Sequence, residues 1–419
     1  MSVAARFNQV FSASLPMTHA ISTAPSLTSR PGTDSRDLSI GQRFYRPELD
    51  VLRLFAFSVV FCYHIGGDLH SRAPAWIASI IADVLGAGAC GVDLFFLLSA
   101  YLITELLLRE KERTGILNLK AFYVRRIARI WPLYFFFIAI AVAMQWILPG
   151  QHLGGKYIAA YFLLAGNWMV ALHGMPASVA VPLWSVSIEE QFYLLWPHVV
   201  RRVSRQRMVI VAIGILVICF LLRFIGLSLQ VRTTILDFGT TTRIDGIAVG
   251  ILLAAILNHR TLTLSAVTRV LLFSGGGVIW VAVHHFRFPP AGPAYPFFAN
   301  LVGYPLIALG SSMAFIAVLG CTLKQHSLVY LGRISYGLYV YHFMSIVLVH
   351  LLLYPRTKHP TGFAAYVLIS AALTFILAWA SYVLLETPFL KWKERFAVVR
   401  SRPVSKSCFG HVLCSPTVC

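Results

Sequence analysis

The chain contains 419 residues, of which 58% are hydrophobic and only 12% are charged. Because a soluble protein of this size exposes far more charge, the composition excludes an ordinary soluble domain and predicts an all-α, polytopic membrane protein. The formal net charge of +19 does not indicate nucleic-acid binding, since the positive residues lie mainly in short loops between apolar runs, where they favour cytoplasmic anchoring.

The chain begins with a segment rich in Ser, Thr, Pro and Arg, residues 1–44. It contains no apolar stretch long enough for a cleaved signal peptide, so we expect a disordered cytoplasmic leader. A membrane domain is predicted over 45–396 and a cytoplasmic tail over 397–419. About ten transmembrane helices are predicted from the apolar runs 49–65, 88–108, 127–148, 187–200, 208–227, 245–257, 269–285, 297–320, 334–354 and 363–385.

One further apolar run, 157–172, decides the predicted topology. Basic loops favour the cytoplasmic side, and the loop "RRVSRQR" at 201–207 would face outward if 157–172 crossed the membrane. A segment that enters the membrane and returns keeps every basic loop inside. We therefore predict that 157–172 is re-entrant or interfacial, that both termini are cytoplasmic, and that a cavity lies nearby, because protein or water must satisfy the backbone of such a segment.

The first apolar helix, "PELDVLRLFAFSVVFCYHI", carries two polar residues, Arg53 and His64. Eleven residues of α-helix place them on one face, about 16 Å apart along the axis. Arg53 could simply extend to the membrane interface, and His64 could be a packed, hydrogen-bonded histidine. Titratable residues inside a span are usually functional, however, and a neutral imidazole can accept a proton near pH 7. His64 is therefore a candidate general base.

Carboxylates occur in two other apolar segments. Asp93 lies in the second run, where it could pair with Arg53, orient His64 or form a structural ion pair. Glu189 and Glu190 lie at the start of the fourth run, within "PLWSVSIEEQFYLLWP". Acidic residues suit a helix N-terminus, but two carboxylates beside an apolar run could also orient a catalytic histidine.

Several further polar and aromatic residues are candidates for substrate contact. The segment "LGRISYGLYVYHF" contains Tyr336 and His342, although aromatic belts at membrane interfaces explain many such tyrosines. Trp184 and Ser185 precede the paired glutamates. We predict these four residues as substrate-binding candidates. No zinc-type spacing of Cys or His is present in the sequence, so we predict no metal site.

An ordered set of blocks is more specific than any single residue. The set resembles, in order, the blocks of the membrane acyltransferase family three, over residues 45 to about 396. The blocks are "PELDVLRLFAFSVVFCYHI", "GVDLFFLLSAYLI", "FYVRRIARIWPLYFF", "LWSVSIEEQFYLLWP", "RIDGIAVG", "LGRISYGLYVYH" and "LETP". One departure is visible, because Ala100 and Tyr101 stand where the family usually has Gly-Phe.

The resemblance implies an integral-membrane O-acyltransferase with ten helices and cytoplasmic acyl-CoA, usually acetyl-CoA, as donor. Members of the family acylate surface polysaccharides, antibiotics and other acceptors. Their first helix has a basic residue, ten residues and a histidine, which Arg53 and His64 match. The resemblance thus implies that His64 is catalytic and that Arg53 lies on the donor side.

These considerations combine into one hypothesis for the chemistry. His64 would deprotonate a hydroxyl of a carbohydrate or small-molecule acceptor, and Glu189 or Glu190 would orient His64. Arginine suits phosphate geometrically, so the phosphates of acyl-CoA would bind the arginines of the third run, namely Arg125, Arg126 and Arg129. The expected location is the plasma membrane, with membrane lipid around the protein.

Three alternatives stay open from the sequence. In a proton-coupled solute transporter, Arg53, His64 and Asp93 would form a proton relay. The protein could instead move the acyl group across the membrane and hand it to a separate transferase. It could also be an acyltransferase-like sensor without activity.

Overall fold

The computed structural model describes residues 44–66, 75–260, 262–287, 296–322, 326–353 and 360–396. Every regular element within these ranges is helical. The predicted tail and the predicted leader, Phe44 apart, lie outside the described residues.

The helices follow one another along the chain with short connections. The first are α1 (Pro47–Ile65), α2 (Ala75–Gly86), α3 (Gly91–Thr114), α4 (Leu119–Ile147), α5 (Gly155–Phe162), α6 (Gly166–His173), α7 (Leu183–Arg202), α8 (Arg205–Ser228) and α9 (Thr233–Phe238). The others are α10 (Thr240–Arg243), α11 (Asp245–Leu257), α12 (Ala266–Arg287), α13 (Phe297–Val318), α14 (His326–Arg333), α15 (Ser335–Leu353), α16 (Pro360–Ser381) and α17 (Thr387–Lys393).

Each of the ten predicted apolar runs coincides with a helix, and the all-α, polytopic prediction is confirmed. Among the described residues, seven helical stretches are long and apolar enough to cross a membrane. The predicted runs outside that group are α1, α7 and α11. Helix α11 has only 13 residues, whereas α1 and α7 carry several charged side chains. The exact count of ten crossings stays a prediction.

The segment 157–172 forms two short helices, α5 and α6, separated at Leu164, which has a φ of 56°. Each helix has eight residues and is about 12 Å long, too short to cross a bilayer. Protein groups satisfy the polar atoms at the break. Asn167 is fully buried and donates to the Phe238 carbonyl at 3.0 Å, while the Gln191 amide donates to the Leu164 carbonyl at 2.8 Å.

Helices α1 and α3 lie at the centre of the bundle, between two apolar clusters. One face of α1, with Leu49 and Leu52, packs in a cluster with α12 and α13. The other face, with Phe57 and Phe61, joins a larger cluster with α4, α7 and α15. Both helices are therefore held on two sides, which gives their polar residues fixed positions.

Two glycines let the central helices approach closely. A Cβ atom at Gly91, the first residue of α3, would lie 2.5 Å from the Ala56 carbonyl oxygen of α1. A Cβ atom at Gly250 of α11 would lie 2.4 Å from the Leu97 carbonyl oxygen of α3. Small residues at such crossings allow backbone-to-backbone packing, so α1, α3 and α11 form a tight centre around which the polar residues gather.

Candidate active site

Two cavities lie along helix α1, and the lining of the first includes five arginines. We call it the arginine cavity; its volume is about 160 Å³. Its walls carry six cationic side chains and two carboxylates. The charged lining residues are Arg46, Asp50, Arg53, Arg126, Arg129, Glu189, Arg333 and Lys393. The excess of positive charge favours an anionic ligand.

A hydrogen-bonded chain holds Arg53 on the wall of the arginine cavity. Asp50 accepts from Arg53 at 3.3 Å and from the Tyr45 hydroxyl at 2.9 Å, and Arg333 donates to that hydroxyl at 3.0 Å. Burial and the Asp50 charge raise the pKa of Tyr45 to about 12, so its hydroxyl stays protonated and keeps donating to Asp50. The close packing of α14 against α1 depends on Gly332, because a Cβ atom at that position would lie 2.0 Å from the Asp50 carbonyl oxygen.

Two cations of this cavity, Arg126 and Arg129, come from α4. Among the described residues, no carboxylate forms an ion pair with Arg126 or Arg129. The Arg126 guanidinium lies 5.9 Å from the centre of the Tyr193 ring, and its buried Nε has no hydrogen-bond partner in the described part of the chain. An uncompensated, partly desolvated guanidinium is costly unless an anion binds it, so these residues fit a phosphate-bearing ligand.

The neighbouring Arg125 is placed differently. It donates to the Glu110 carboxylate at 3.0 Å and to the Phe396 carbonyl at 2.6 Å, and it does not line the cavity. Arg125 therefore connects α4 to the C-terminal end of the described domain. Of the three arginines predicted to bind the donor, the structure thus brings two together and sets the third apart.

The paired glutamates of α7 lie on the arginine-cavity side. Glu189 lines that cavity and accepts from Ser99 at 3.2 Å and from the Tyr193 hydroxyl at 2.9 Å. Glu190 is buried and accepts from the Trp131 indole at 2.8 Å. Neither glutamate hydrogen-bonds to His64 in this geometry, since the hydrogen bonds of both go to other side chains, and their role in orienting His64 stays a prediction.

The second cavity surrounds His64 and is larger, about 540 Å³; we call it the histidine cavity. Trp184 forms part of its wall, together with charged side chains that occur as ion pairs. Asp93 pairs with Arg243, and Asp237 accepts from Arg287 at 2.7 Å. The opposite charges balance one another here, in contrast to the arginine cavity.

His64 is held by a second histidine. Its Nδ1 lies 2.9 Å from the Val60 carbonyl oxygen and 3.3 Å from Nε2 of His342. The Nδ1 of His342 lies 2.5 Å from the Tyr339 carbonyl oxygen, which can only accept. Both rings therefore carry their proton on Nδ1, and Nε2 of His64 keeps a lone pair that can accept a proton. His342 is fully buried, so it lies behind His64 rather than on the cavity wall.

The sequence allowed a pair between Asp93 and Arg53, but the structure does not contain it. The Asp93 carboxylate binds Arg243 in a bidentate pair, with the second contact at 2.9 Å. The Arg243 guanidinium in turn lies 4.3 Å from the centre of the Tyr304 ring. Arg53 pairs with Asp50 instead, and Arg53 and Asp93 line different cavities.

The remaining predicted contact residues divide between the two cavities. Trp184 lines the histidine cavity, whereas Ser185 and Tyr336 line the arginine cavity. Among the described residues, Val92 and Tyr339 line both. They lie where the cavities meet.

Sequence reasoning missed several residues of the histidine cavity, namely Asp237, Arg243, Arg287 and Tyr304. The block "RIDGIAVG" showed Arg243 as a charge at the edge of an apolar run, which was a usable signal. The others come from ends or middles of helices far apart in the chain and carry no local pattern. Only the fold brings them together.

Comparison with known proteins identifies the family of this chain. The model of the acyltransferase domain family matches residues 46–383, and the chain belongs to this family. The prediction of the family is confirmed. The match begins just before α1 and ends within the π-helical turn that follows α16, so it includes the histidine cavity and most of the arginine cavity, apart from Phe44, Tyr45 and Lys393.

Two relatives illustrate the family. The peptidoglycan O-acetyltransferase OatA of Listeria monocytogenes is 27% identical over 417 residues, which cover 87% of this chain and 60% of the relative. The O-acetyltransferase OatA of Staphylococcus aureus strain MRSA252 is 28% identical over 408 residues, covering 91% of this chain and 63% of the relative. The chain spans about three fifths of the length of the curated relatives it matches. No solved structure matches it at a significant level.

Proposed function

We propose that the protein is an integral-membrane O-acetyltransferase that moves an acetyl group from acetyl-CoA to a hydroxyl of a carbohydrate. The donor would bind in the arginine cavity and the acceptor in the histidine cavity. The observation that carries this proposal is the course of α1, which presents Arg53 to one cavity and His64 to the other, with Val92 and Tyr339 at the meeting point.

The donor is proposed from the charge of the arginine cavity. Acyl-CoA carries phosphates and a long arm that ends in a thioester. The unpaired guanidinium groups of Arg126 and Arg129 suit phosphate oxygens, because arginine donates parallel hydrogen bonds to them. Arg53, held by Asp50 further along the wall, would contact the donor nearer the thioester.

The chemical step follows from the geometry of His64. The acceptor hydroxyl gives its proton to Nε2 of His64 while its oxygen attacks the thioester carbonyl carbon. The C–O bond forms and the C–S bond breaks. The proton then passes from His64 to the CoA sulfur, so the products are an ester and free CoA. A positioned general base contributes about 10²- to 10⁴-fold to such a rate.

The acceptor is proposed from the composition of the histidine cavity. Its charges are paired, so the cavity has no large net charge to attract an ion. Paired Asp and Arg side chains offer acceptors and donors to several hydroxyls at once, and the Trp184 ring offers an apolar face. A neutral sugar fits this combination.

The orientation in the membrane is also a proposal. Basic loops favour the cytoplasmic side, which puts both termini in the cytoplasm and the domain in the plasma membrane. The donor then enters from the cytoplasm, and the acceptor hydroxyl is on the outer side. A reporter fused after residue 190 is expected to give an extracytoplasmic signal.

A labelled-donor assay tests the proposed function. The full-length protein in lipid nanodiscs is given radiolabelled acetyl-CoA and a panel of glycan acceptors, among them peptidoglycan fragments. Label is expected on an acceptor hydroxyl with the wild type and not with His64→Ala. His173→Ala is the matched control, because His173 is an exposed histidine outside both cavities.

Two outcomes would reject the proposal. Label on an acceptor with His64→Ala at the wild-type rate removes the general base from the mechanism. Solute uptake by vesicles, coupled to protons and independent of acyl-CoA, would assign the protein to the transporters instead.

A further inference from the structure

The two cavities share part of their lining, at Val92 and Tyr339. Val92, at the start of α3, and Tyr339, on α15, are the residues that line both cavities, and each is only 7% exposed. On the proposed function, on which this inference rests, the acyl carbon and the attacking hydroxyl oxygen must come within bonding distance across this point. The groups on either side therefore limit what can be transferred.

The ring of Tyr339 is fixed in place. Its hydroxyl lies 2.8 Å from the Ser185 hydroxyl and 3.3 Å from the Pro182 carbonyl oxygen, and its ring packs edge-on against Phe95 with centres 5.6 Å apart. A tyrosine held at both its hydroxyl and its ring cannot rotate away to admit a larger group without losing these contacts.

The position of Val92 is also fixed by packing. Val92 lies one turn before Phe95, the residue whose ring packs against Tyr339, and so on the same face of α3. Its neighbours in the chain are Gly91, which packs on the Ala56 carbonyl, and Asp93, which is paired with Arg243. A valine has few rotamers in a helix, so backbone packing and an ion pair set where its methyl groups lie.

We propose that Val92 and Tyr339 form an acyl-length selector, which admits the acetyl group and rejects longer acyl groups. The donor arrives from the arginine cavity with its acyl group leading. Each added methylene must then pass between the valine and the tyrosine or occupy the space that the acceptor needs near His64. One methylene in a well-packed apolar site changes the rate by roughly 10- to 200-fold.

The test compares acetyl-, propionyl- and butyryl-CoA as donors with one acceptor, for the full-length protein in nanodiscs. The wild type is expected to use acetyl-CoA at least about 10-fold better than propionyl-CoA. Val92→Ala is expected to bring the two donors to within about 2- to 3-fold, mainly by gaining propionyl transfer. Tyr339→Phe, which keeps the ring and loses its hydroxyl bonds, is expected to relax selectivity less.

Val340→Ala is the matched control. Val340 follows Tyr339 in α15 and is fully buried in the apolar core, and it lines neither cavity. The substitution removes the same two methyl groups, so it reports general loosening of the bundle. It is expected to leave the propionyl-to-acetyl ratio at the wild-type value.

The possible outcomes distinguish failure of the selector from failure of the proposed function. A wild type that transfers acetyl, with Val92→Ala still rejecting propionyl, overturns the selector and leaves the proposed function standing. Equal relaxation in Val340→Ala also overturns it. A wild type that transfers no acyl group from any donor overturns the proposed function and the selector together.

Discussion

The arginine cavity and the histidine cavity handle buried charge in opposite ways. In the first, six cations face two carboxylates, and Arg126 and Arg129 form no ion pair with a carboxylate among the described residues, so the cavity favours a ligand that brings negative charge. In the second, Asp93 and Arg243 compensate each other before any ligand binds. An uncompensated site selects for charge, and a compensated site selects for shape and hydrogen bonding. One bundle therefore offers a cavity suited to an anionic ligand beside one suited to a neutral ligand.

The largest effect should come from the base itself. His64→Ala is expected to lower kcat by about 10²- to 10⁴-fold, because the acceptor hydroxyl loses its proton acceptor. Acetyl-CoA binding, measured by isothermal titration, is expected to stay near the wild-type Kd, since His64 lies outside the arginine cavity. A parallel loss of acetyl-CoA binding would show that the two cavities do not act separately.

The second-largest effect is expected from the buried Asp93–Arg243 ion pair of the histidine cavity. Asp93→Asn leaves Arg243 buried without a counter-charge, which typically costs about 3–5 kcal/mol. Thermal unfolding in detergent should report a large drop in stability. Asp50→Asn is the control in the other cavity, where the partner Arg53 is about one-fifth exposed and the loss is expected to be small. Similar losses in both variants would contradict the distinction between the cavities.

The three arginines of α4, Arg125, Arg126 and Arg129, test the comparison of the two cavities further. Arg126→Gln and Arg129→Gln are each expected to raise KM for acetyl-CoA by about 10-fold or more, because a hydrogen bond to a charged group contributes about 1.5–3 kcal/mol. The value of kcat should change little, since the loss falls on donor binding. The measurement is a donor titration at saturating acceptor.

Arg125→Gln is the matched control, because it removes the same charge one residue away. Its guanidinium is already engaged by Glu110 and the Phe396 carbonyl. The substitution should lower thermal stability and leave KM for acetyl-CoA near the wild-type value. A rise in KM equal to that of Arg126→Gln would restore Arg125 to the donor site, as the sequence predicted.

The sequence predicted those features of the site that lie within a single helix. The spacing from Arg53 to His64 placed both on one face of α1, and the structure presents both to cavities. Pairings across the bundle were not accessible, because they depend on which helices meet. Asp93 pairs with Arg243, 150 residues away, and no local pattern favours that partner over Arg53. The partners of the glutamates were not accessible for the same reason, since Ser99 of α3 and Trp131 of α4 reach α7 only through packing.

The smallest effect isolates the histidine that holds His64. His342 accepts from Nδ1–H of His64 and fixes the ring with Nε2 free. His342→Leu is expected to lower kcat by up to about 10-fold, in line with the loss of one hydrogen bond of about 1 kcal/mol, while both KM values stay unchanged. His342→Gln offers an amide oxygen at a similar reach and is expected to recover most of kcat. Because both substitutions disturb a fully buried position, recovery by Gln alone distinguishes orientation of His64 from simple packing. Equal losses in Leu and Gln, with lowered thermal stability in both, would reduce His342 to a core residue and leave His64 to be oriented by the Val60 carbonyl alone.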